Sequence, residues 1–176
     1  SFKQLRKQIG IVPQQSILFK GTIRDNMKWE NPDLSDEDII TALKNAQAYE
    51  FVSKLPMGLD SHVEQGGKNF SGGQRQRLCI ARAIAAQPKV LILDDSFSAL
   101  DFATDAALRK ALSQYTHEMT VIIVTQRCST IMNSDLILVL DDGMLVGKGT
   151  HKELLKNCET YKEICLSQLS KSEVEV

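Results

Sequence analysis

Three carboxylates follow or end an apolar run in the stretch VLILDDSFSALD, from Val90 to Asp101. Asp94 and Asp95 close the run, and Asp101 comes six residues later. In open α/β sheets, ligands bind beyond the carboxyl ends of the strands, and Mg²⁺ is bound through carboxylates and phosphates. The spacing therefore predicts a metal-and-nucleotide edge of a sheet. It also raises the question whether this chain hydrolyses a nucleotide or keeps only part of such a site.

Two glutamines fall at the ends of other predicted strands. Gln14 follows IGIVP, and Gln126 follows VIIVT. Each of these positions alone is explained by a satisfied polar group at a strand end. Three polar positions at one sheet edge favour a binding site.

The stretch NFSGGQRQR, from Asn69 to Arg77, places Ser71, Gly72 and Gly73 directly before a predicted helix. Backbone N–H groups at a helix start lack intrahelical partners and the helix dipole is positive there, so an anion is favoured. Glycines also let a phosphate approach the backbone closely. From these residues alone, a plain Ser-Gly-Gly helix cap explains the stretch equally well.

A second glycine-rich stretch, GMLVGKGT from Gly143 to Thr150, is similar to a P-loop but lacks its spacing. Three residues separate its first two glycines where the motif needs four, and Gly149 stands where Ser or Thr should hold magnesium. No other match to GxxxxGK[ST] occurs in the chain.

Apolar periodicity predicts strands that alternate with helices, which indicates an α/β fold with a largely parallel sheet. The strand KVLILDD is apolar on both faces, as expected of a buried central strand, and TVIIVTQ is a second fully apolar strand. The segment of about residues 31–86 holds helices and loop without a clear strand, and we expect a helical insertion there. The other predicted elements are a strand at QIGIVP and a hairpin that turns at Asp142-Gly143. Helices are predicted at LSDEDIITALKNAQAYEFVSKL, QRQRLCIARAIAAQ, DAALRKALSQY and THKELL. Ser35, followed by Asp38, caps the first of them, and Thr150 and Glu153 form a capping box at the last.

The composition excludes several classes of protein. The chain has 176 residues, about one domain, and its net charge of −1 offers no electrostatic argument for a nucleic-acid partner. Its longest apolar runs of four or five residues are far below the roughly 18–20 that span a bilayer. The N-terminus has no apolar segment of a secretory signal. We expect the four cysteines to be reduced structural thiols, since they form no CxxC pair and have no histidine at metal spacing: Cys79, Cys128, Cys158 and Cys165.

Together these motifs resemble the nucleotide-binding domain of ATP-binding-cassette (ABC) transporters, over about residues 2–166. IGIVPQQSILFKGTIRDN resembles the Q-loop region, NFSGGQ the signature motif, VLILDD the Walker B motif and SALD the D-loop, while VTQR lies where the H-loop should be. The spellings LFKGTIRDN and VEQGGKNFSGGQRQR resemble the exporter branch.

The resemblance implies a RecA-like P-loop NTPase core with a mainly parallel sheet and an inserted α-helical subdomain. The sequence begins after the position where the family carries its P-loop. The implied parts are a Q-loop region (1–30), a helical subdomain with the signature motif (31–86), a core with Walker B, D-loop and H-loop position (87–166), and a loose tail (167–176). The implied cofactors are ATP and Mg²⁺, with these residues: catalytic Asp95, Gln126 and Gln14; nucleotide-binding Ser71, Gly72, Gly73, Gln74 and Asp101; metal-binding Asp94 and Gln14.

Two positions depart from the family pattern. Asp95 stands where a glutamate usually polarises the attacking water, and its carboxylate is shorter by one methylene, on the order of 1 Å. A misplacement of that size can cost roughly 10²-fold in rate. Gln126 stands at the H-loop histidine position, where it can hydrogen-bond a phosphate but cannot become cationic.

The resemblance also implies partners. ABC domains pair head to tail, so each ATP lies between one partner's P-loop and Walker B motif and the other's signature motif. An intact SGGQ beside an altered Walker B and H-loop resembles the degenerate-site half of a heterodimeric exporter. We expect a second nucleotide-binding domain and a transmembrane domain as partners, no nucleic acid, and a location at the cytoplasmic face of the cell membrane.

Three functions fit the motifs to different degrees. The first is a transporter motor domain whose ATPase activity needs the full-length dimer, and the second is a regulatory module that binds ATP without hydrolysis. The third is a chromosome-maintenance or DNA-repair ATPase. That class has a long coiled coil between Q-loop and signature, whereas about 56 residues without sustained heptads separate Gln14 from Ser71 here.

The chain of 176 residues should bind ATP only weakly and should not hydrolyse it alone. A P-loop backbone and its lysine provide most of the phosphate cradle in this class of enzyme. This sequence contains no match to the P-loop motif. Calorimetric titration with Mg-ATP measures the affinity. A dissociation constant in the low micromolar range would contradict this prediction.

Overall fold

The computed structural model describes residues 1–116 and 118–169. It divides the chain into two compact units, Ser1–Val124 and Thr125–Val176, and each is described by itself. The domain boundaries predicted near residues 31 and 87 fall inside the first unit and stay predictions about its subdomains. Residues 170–176 of the predicted loose tail lie outside the described residues.

The first unit contains a three-stranded parallel sheet, which confirms the predicted α/β class. Its strands pair in the order β1-β4-β5, and Ile11 of β1 lies opposite Ile92 of β4, which lies opposite Ile122 of β5. A two-stranded antiparallel pair, β2-β3, accompanies it. The strands and helices of this unit are α1 (Phe2–Arg6), β1 (Ile9–Val12), β2 (Gly21–Thr22), α2 (Ile23–Met27), α3 (Asp36–Asn45), α4 (Tyr49–Ser53), β3 (His62–Val63), α5 (Gly72–Ala85), β4 (Val90–Asp94), α6 (Phe102–Tyr115) and β5 (Thr120–Val124).

The two faces of the parallel sheet differ in burial. Leu91 and Leu93 of β4 are buried in the main apolar core, together with Leu78 and Ile84 of α5. The alternate positions are less buried: Ile92 of β4 is half-buried, and Ile122 of β5 is 46% exposed. β4 is the middle strand of this sheet, as predicted, and its residues are alternately buried and half-buried, whereas β5 lies at the edge of the described sheet.

Helix α5 approaches β1 closely at Gly10. A Cβ atom at Gly10 would lie 2.9 Å from the Ala83 carbonyl oxygen and 2.9 Å from Pro88 Cγ. Both distances are too short for a real Cβ, so the absent side chain lets the helix lie against the strand. This contact fixes α5, and with it the SGGQ motif, relative to the sheet.

The predicted long helix of the insertion is divided in two. Ser35 caps α3, as predicted, and Asp38 completes a capping box with it. The helix ends at Asn45 because Gln47 adopts a left-handed backbone conformation with φ of 55°. The Gln47 carbonyl oxygen accepts a hydrogen bond from Arg77 of α5 at 2.7 Å. A long-range contact, invisible in the apolar periodicity, therefore accompanies the break between α3 and α4.

Residues 31–86, in which the sequence shows no clear strand, contain the two-residue strand β3. Val63 of β3 pairs with Gly21 of β2. Both strands have only two residues, too few for a periodic pattern to show.

The second unit is built on an antiparallel hairpin packed with helices. Asp142 and Gly143, with φ of 44° and 77°, form its turn, which confirms the predicted turn pair. Thr150 and Glu153 form the predicted capping box. Among the described residues, none of the helices in either unit has both the length and the apolar character required to cross a bilayer. The elements of the second unit are α7 (Cys128–Ile131), β6 (Ile137–Asp141), β7 (Met144–Gly149), α8 (His151–Asn157) and α9 (Glu159–Gln168).

The cysteines correct one expectation. Cys128 and Cys165 form a disulfide, so the prediction of reduced thiols is wrong for this pair. Cys79 and Cys158 are free and buried, as predicted. The sequence offered no signal for the pairing, because the two partners are 37 residues apart and belong to different helices.

Replacement of Asn26 by alanine should lower the free energy of unfolding by about 1–3 kcal/mol, since it leaves buried backbone groups unpaired. The buried Asn26 side chain accepts from the Phe19 N–H at 2.8 Å and donates to the carbonyl oxygens of Phe19 and Thr22. Urea denaturation measures the change. Asn133→Ala, at an exposed turn position, is the control and should change the value by less than about 0.5 kcal/mol. Equal effects of both variants would contradict the role given to Asn26.

Candidate nucleotide site

The carboxyl ends of β1 and β4 are joined by a buried serine. Ser96 is fully buried, and its hydroxyl donates to the Val12 carbonyl oxygen at 3.1 Å. Asp94 is the last residue of β4, and Gln14 follows β1 by two residues. The structure therefore brings Gln14 and Asp94 to one edge of the sheet, as the strand-end pattern predicts.

The backbone of Asp95 is held from two sides. Its N–H donates to the Val124 carbonyl oxygen at 2.8 Å, and its own carbonyl oxygen accepts from the Ser98 hydroxyl at 2.9 Å. Asp95 also has a positive φ of 44°, a conformation that costs on the order of 1–3 kcal/mol outside glycine and is often found at functional sites. Because the backbone is held, the length of the side chain decides how far its carboxylate reaches.

The signature segment forms the start of α5. The Ser71 hydroxyl accepts from the Gln74 N–H at 3.2 Å, and the Gln74 side-chain oxygen accepts from the Ser71 N–H at 2.9 Å. This capping box is the plain helix cap that the sequence also allowed. It does not use all the hydrogen-bond donors of the segment. The Ser71 hydroxyl accepts in the cap, so its proton can still be donated to an anion. First-turn N–H groups such as that of Gly73 have no intrahelical acceptor.

The signature helix is also packed against the D-loop. A Cβ atom at Gly73 would lie 3.3 Å from the Ala99 carbonyl oxygen, so a side chain there would press on that loop. The buried Gln76 side chain accepts from the Ala99 N–H at 3.2 Å. These contacts make the Ser71–Gln74 and Ser98–Asp101 segments a single surface within the first unit.

Gln76 is a positioning residue that sequence reasoning missed. The available signal was its place on α5, four residues before Ile80 and thus on the same face of the helix as a fully buried residue. A polar side chain at a buried helical position requires a hydrogen-bond partner. The Ala99 N–H is that partner.

Asp101 caps α6. Its carboxylate accepts from the Thr104 N–H at 2.9 Å and from the Thr104 hydroxyl at 2.7 Å. These hydrogen bonds to the charged form hold the pKa of the Asp101 carboxyl below its ordinary value. The residue expected to bind nucleotide is thus also the start of a helix, and its role toward nucleotide stays a prediction.

Gln126 belongs to the second unit, where its side chain is exposed. Its carbonyl oxygen accepts from the Gln168 side-chain amide at 2.7 Å, and the Gln168 side-chain oxygen accepts from the Cys128 N–H at 3.0 Å. The amide of α9 therefore fixes the backbone on both sides of Arg127. The catalytic role predicted for Gln126 stays a prediction.

The residues at the sheet edge fit the cofactors that the motifs imply. Asp94 and Gln14 offer a carboxylate and an amide oxygen, the ligand types that suit Mg²⁺. The start of α5 offers hydroxyl and backbone N–H donors beside glycines, which suits a phosphate.

Comparisons with known proteins decide the family. A family profile described as "ABC transporter" matches residues 1–98, more than half of the chain. The chain belongs to the ABC transporter family.

Relatives extend the similarity over most of the chain. It is 48% identical over 167 residues to YfiB, an uncharacterised ABC transporter ATP-binding protein of Bacillus subtilis, covering 95% of this chain and 29% of the relative. It is 41% identical over 160 residues to a Staphylococcus aureus protein named as a candidate multidrug export ATP-binding/permease protein, covering 91% of this chain and 28% of the relative.

The structure agrees with these relatives. An ATP-bound bacterial exporter of the Atm1 family superposes with a TM-score of 0.89 at 37% sequence identity, over 93% of this chain and 29% of that chain. The fold is thus that of an ABC exporter ATP-binding domain, of which this chain is a part. The chain spans about 29% of the length of these longer proteins.

Because the pKa of Asp101 is lowered in the folded chain, its carboxylate stabilises the fold above the unfolded pKa of about 3.9. That contribution should disappear as the pH falls through the lower folded value. In Asp101→Asn, which keeps an N-capping side chain, the loss of unfolding free energy between pH 7 and pH 3 should be smaller than in the unaltered chain. Urea denaturation at both values measures it. Asp33→Asn is the control, and the same pH dependence in the two variants would contradict the prediction.

Proposed function

We propose that this chain is part of the motor domain of an exporter, in which ATP binding and hydrolysis at a dimer interface drive transport across a membrane. The observation that carries the proposal is the start of α5. Ser71 and the first-turn N–H groups offer donors that would suit an anion, and Gly73 and Gln76 pack this helix start against the Ser98–Asp101 segment. The family match and the exporter relatives support the same proposal.

The signature segment would act on the nucleotide of a partner domain. The Ser71 hydroxyl and the N–H groups of Gly72 and Gly73 would donate to its terminal phosphate, where negative charge is present and developing. Donors held in advance by a capping box and by packing need no rearrangement, which is the condition for strong stabilisation of that charge. ATP and Mg²⁺ supply the phosphoryl group and its charge neutralisation when bound.

The nucleotide edge of the chain itself would form a slow site. Asp94 and Gln14 keep oxygen ligands for Mg²⁺, whereas Asp95 offers a shorter carboxylate on a fixed backbone. Gln126 offers an amide where a proton-accepting ring is expected from the resemblance. A site that binds ATP but hydrolyses it slowly, opposite a complete site, is the arrangement of a heterodimer with unequal sites.

A surface beside Gln14 suits the transmembrane partner. The rings of Phe19 and Trp29 stack with centroids 4.0 Å apart, and Trp29 is 60% exposed. Ile17, three residues beyond Gln14, is 51% exposed. Asn26 holds the loop that carries Phe19. An exposed apolar surface on a fixed loop fits contact with a membrane domain, which would place the chain at the cytoplasmic face of the membrane.

The second candidate is a regulatory module that holds ATP and does not hydrolyse it. The observation that favours it is that both positions nearest the hydrolysis chemistry, Asp95 and Gln126, depart from the family pattern. It differs from the first proposal in its prediction for the partner's site. A purely regulatory module would leave turnover there unaffected by changes in Ser71.

Restoring the family residues tests the slow site. In the full-length subunit assembled with its partner, Asp95→Glu combined with Gln126→His should raise the steady-state ATPase rate contributed by this site by roughly 10²-fold, since the carboxylate regains its reach. Asp142→Glu, in an exposed hairpin turn, is the control and should leave the rate unchanged. An unaltered rate in the double variant would contradict the roles of Asp95 and Gln126.

Removing one donor tests the signature segment. Ser71→Ala in the same assembly should lower turnover at the partner's site by roughly 10²-fold, as expected for loss of one preorganised donor. Ser35→Ala is the matched control, because Ser35 caps α3 through the same kind of capping box away from the site. Loss of turnover in both variants, or in neither, would count against the proposed role of Ser71. Unchanged turnover in Ser71→Ala would favour the regulatory module.

A further inference from the structure

Three side chains of the second unit form a cluster that the nucleotide site does not use. The sulfurs of Cys128 and Cys165 and a ring nitrogen of His151 all lie within 4.8 Å of one another, and all three residues are buried. They come from α7, from α9 and from the first residue of α8. The cluster is therefore assembled by the packing of three helices.

The two sulfurs are joined as a disulfide in this structure. Thiols in cytosolic compartments are kept reduced, and cytosolic disulfides of ordinary organisms are usually transient. Thiol–disulfide exchange with a dithiol reductant breaks the S–S bond. The reductant supplies two electrons and two protons, becomes a disulfide itself, and leaves Cys128 and Cys165 as thiols.

His151 stands in this cluster with one nitrogen unsatisfied. The residue is 6% exposed, and its Nδ1 lies 2.8 Å from the Tyr161 hydroxyl oxygen. Its Nε2 is buried without a hydrogen-bond partner among the described residues. A buried polar atom left unpaired costs free energy. The Tyr161 hydroxyl also lies 3.6 Å from the Cys128 sulfur, so one side chain orients two members of the cluster.

We propose that the reduced chain binds one soft divalent cation of the Zn²⁺ type through Cys128 Sγ, Cys165 Sγ and a ring nitrogen of His151. Two thiolates and an imidazole are preferred ligands of Zn²⁺, and a fourth position is left for water or another group. Binding displaces the two thiol protons. The disulfide is the metal-free, oxidised form of the same site.

Charge and ligand type favour this class of ion over the magnesium of the nucleotide edge. Two thiolates, a neutral imidazole and a divalent cation sum to zero charge, which suits a buried position because uncompensated buried charge is costly. None of the three ligands is a carboxylate or carbonyl oxygen, so Mg²⁺ and Ca²⁺ are disfavoured. The Tyr161 hydroxyl would act as the outer partner that orients a metal-binding histidine.

The sequence hides this site because its ligands have no motif spacing. Cys128 and His151 are 23 residues apart and Cys165 follows 14 residues later. The ligands converge only because α7 and α9 pack together and because the hairpin β6-β7 leads into α8.

The test is metal titration of the purified chain in two redox states. After reduction with a phosphine, which does not compete as a thiol ligand, the chain should bind one equivalent of Zn²⁺ against a chromophoric chelator. With Co²⁺ as the probe, thiolate-to-cobalt charge-transfer absorption should appear. After oxidation with diamide, binding should fall to background. The proposal would be overturned if the reduced chain bound no Zn²⁺, or if both redox states bound it equally.

Variants separate the ligands from ordinary core residues. Cys165→Ser and His151→Ala should each weaken Zn²⁺ binding by at least about 100-fold, and Tyr161→Phe by about 10-fold, in line with the 10–100-fold effect of outer partners. Cys158→Ser is the matched control, since Cys158 is a buried free cysteine of the same unit outside the ligand set. An equal loss in Cys158→Ser, or full binding in Cys165→Ser, would overturn the assignment. If a ligand variant does not fold, as judged by circular dichroism, the Co²⁺ spectrum of the unaltered chain decides. A spectrum without thiolate bands would overturn the proposal.

Discussion

Parallel pairing of β4 with β1 and β5 brings the chemistry of the first unit to one sheet edge. The strands run in the same direction, so their carboxyl ends coincide. The Ser96 hydroxyl donates a hydrogen bond to Val12 of β1, and the Asp95 N–H donates one to Val124 of β5. Asp94 and Gln14 hold neighbouring positions as a result. Without this register, the two carboxylates at the end of VLILDD would have no fixed position relative to Gln14.

The second constraint is the position of α5 against the sheet. The missing side chain at Gly10 lets the helix lie close to β1, and the missing side chain at Gly73 lets its first turn lie against the D-loop. Gln76 adds a hydrogen bond to the same loop. A helix start that favours anions is common in proteins. Here packing and a hydrogen bond join it to the Ser98–Asp101 segment, so the two segments form one surface.

The second unit links two chemically different features through one side chain. The amide of Gln168 accepts from the Cys128 N–H and donates to the Gln126 carbonyl oxygen. The same side-chain amide therefore holds both Gln126, at the H-loop position, and Cys128, the first cysteine of the cluster with His151 and Cys165. Cys165, three residues before Gln168 on α9, completes the connection. Packing of α9 thus positions both features at once.

Sequence alone determined the longer strands and helices, the caps at Ser35 and Thr150, and the turn at Asp142. It also identified the family motifs, because all of these signals lie within a few neighbouring residues or repeat with a fixed period. It did not determine the break at Gln47 or the pairing of β3, where short segments respond to distant contacts.

The convergence of Cys128, His151 and Cys165 was likewise decided only by tertiary structure. Burial and ligand geometry depend on what packs against a residue, and a local sequence pattern carries no information about partners that lie dozens of positions away. The motifs identified Asp95 as a carboxylate shorter than the glutamate that the family usually carries at this position. Only the folded chain showed that its backbone is held by Val124 and Ser98.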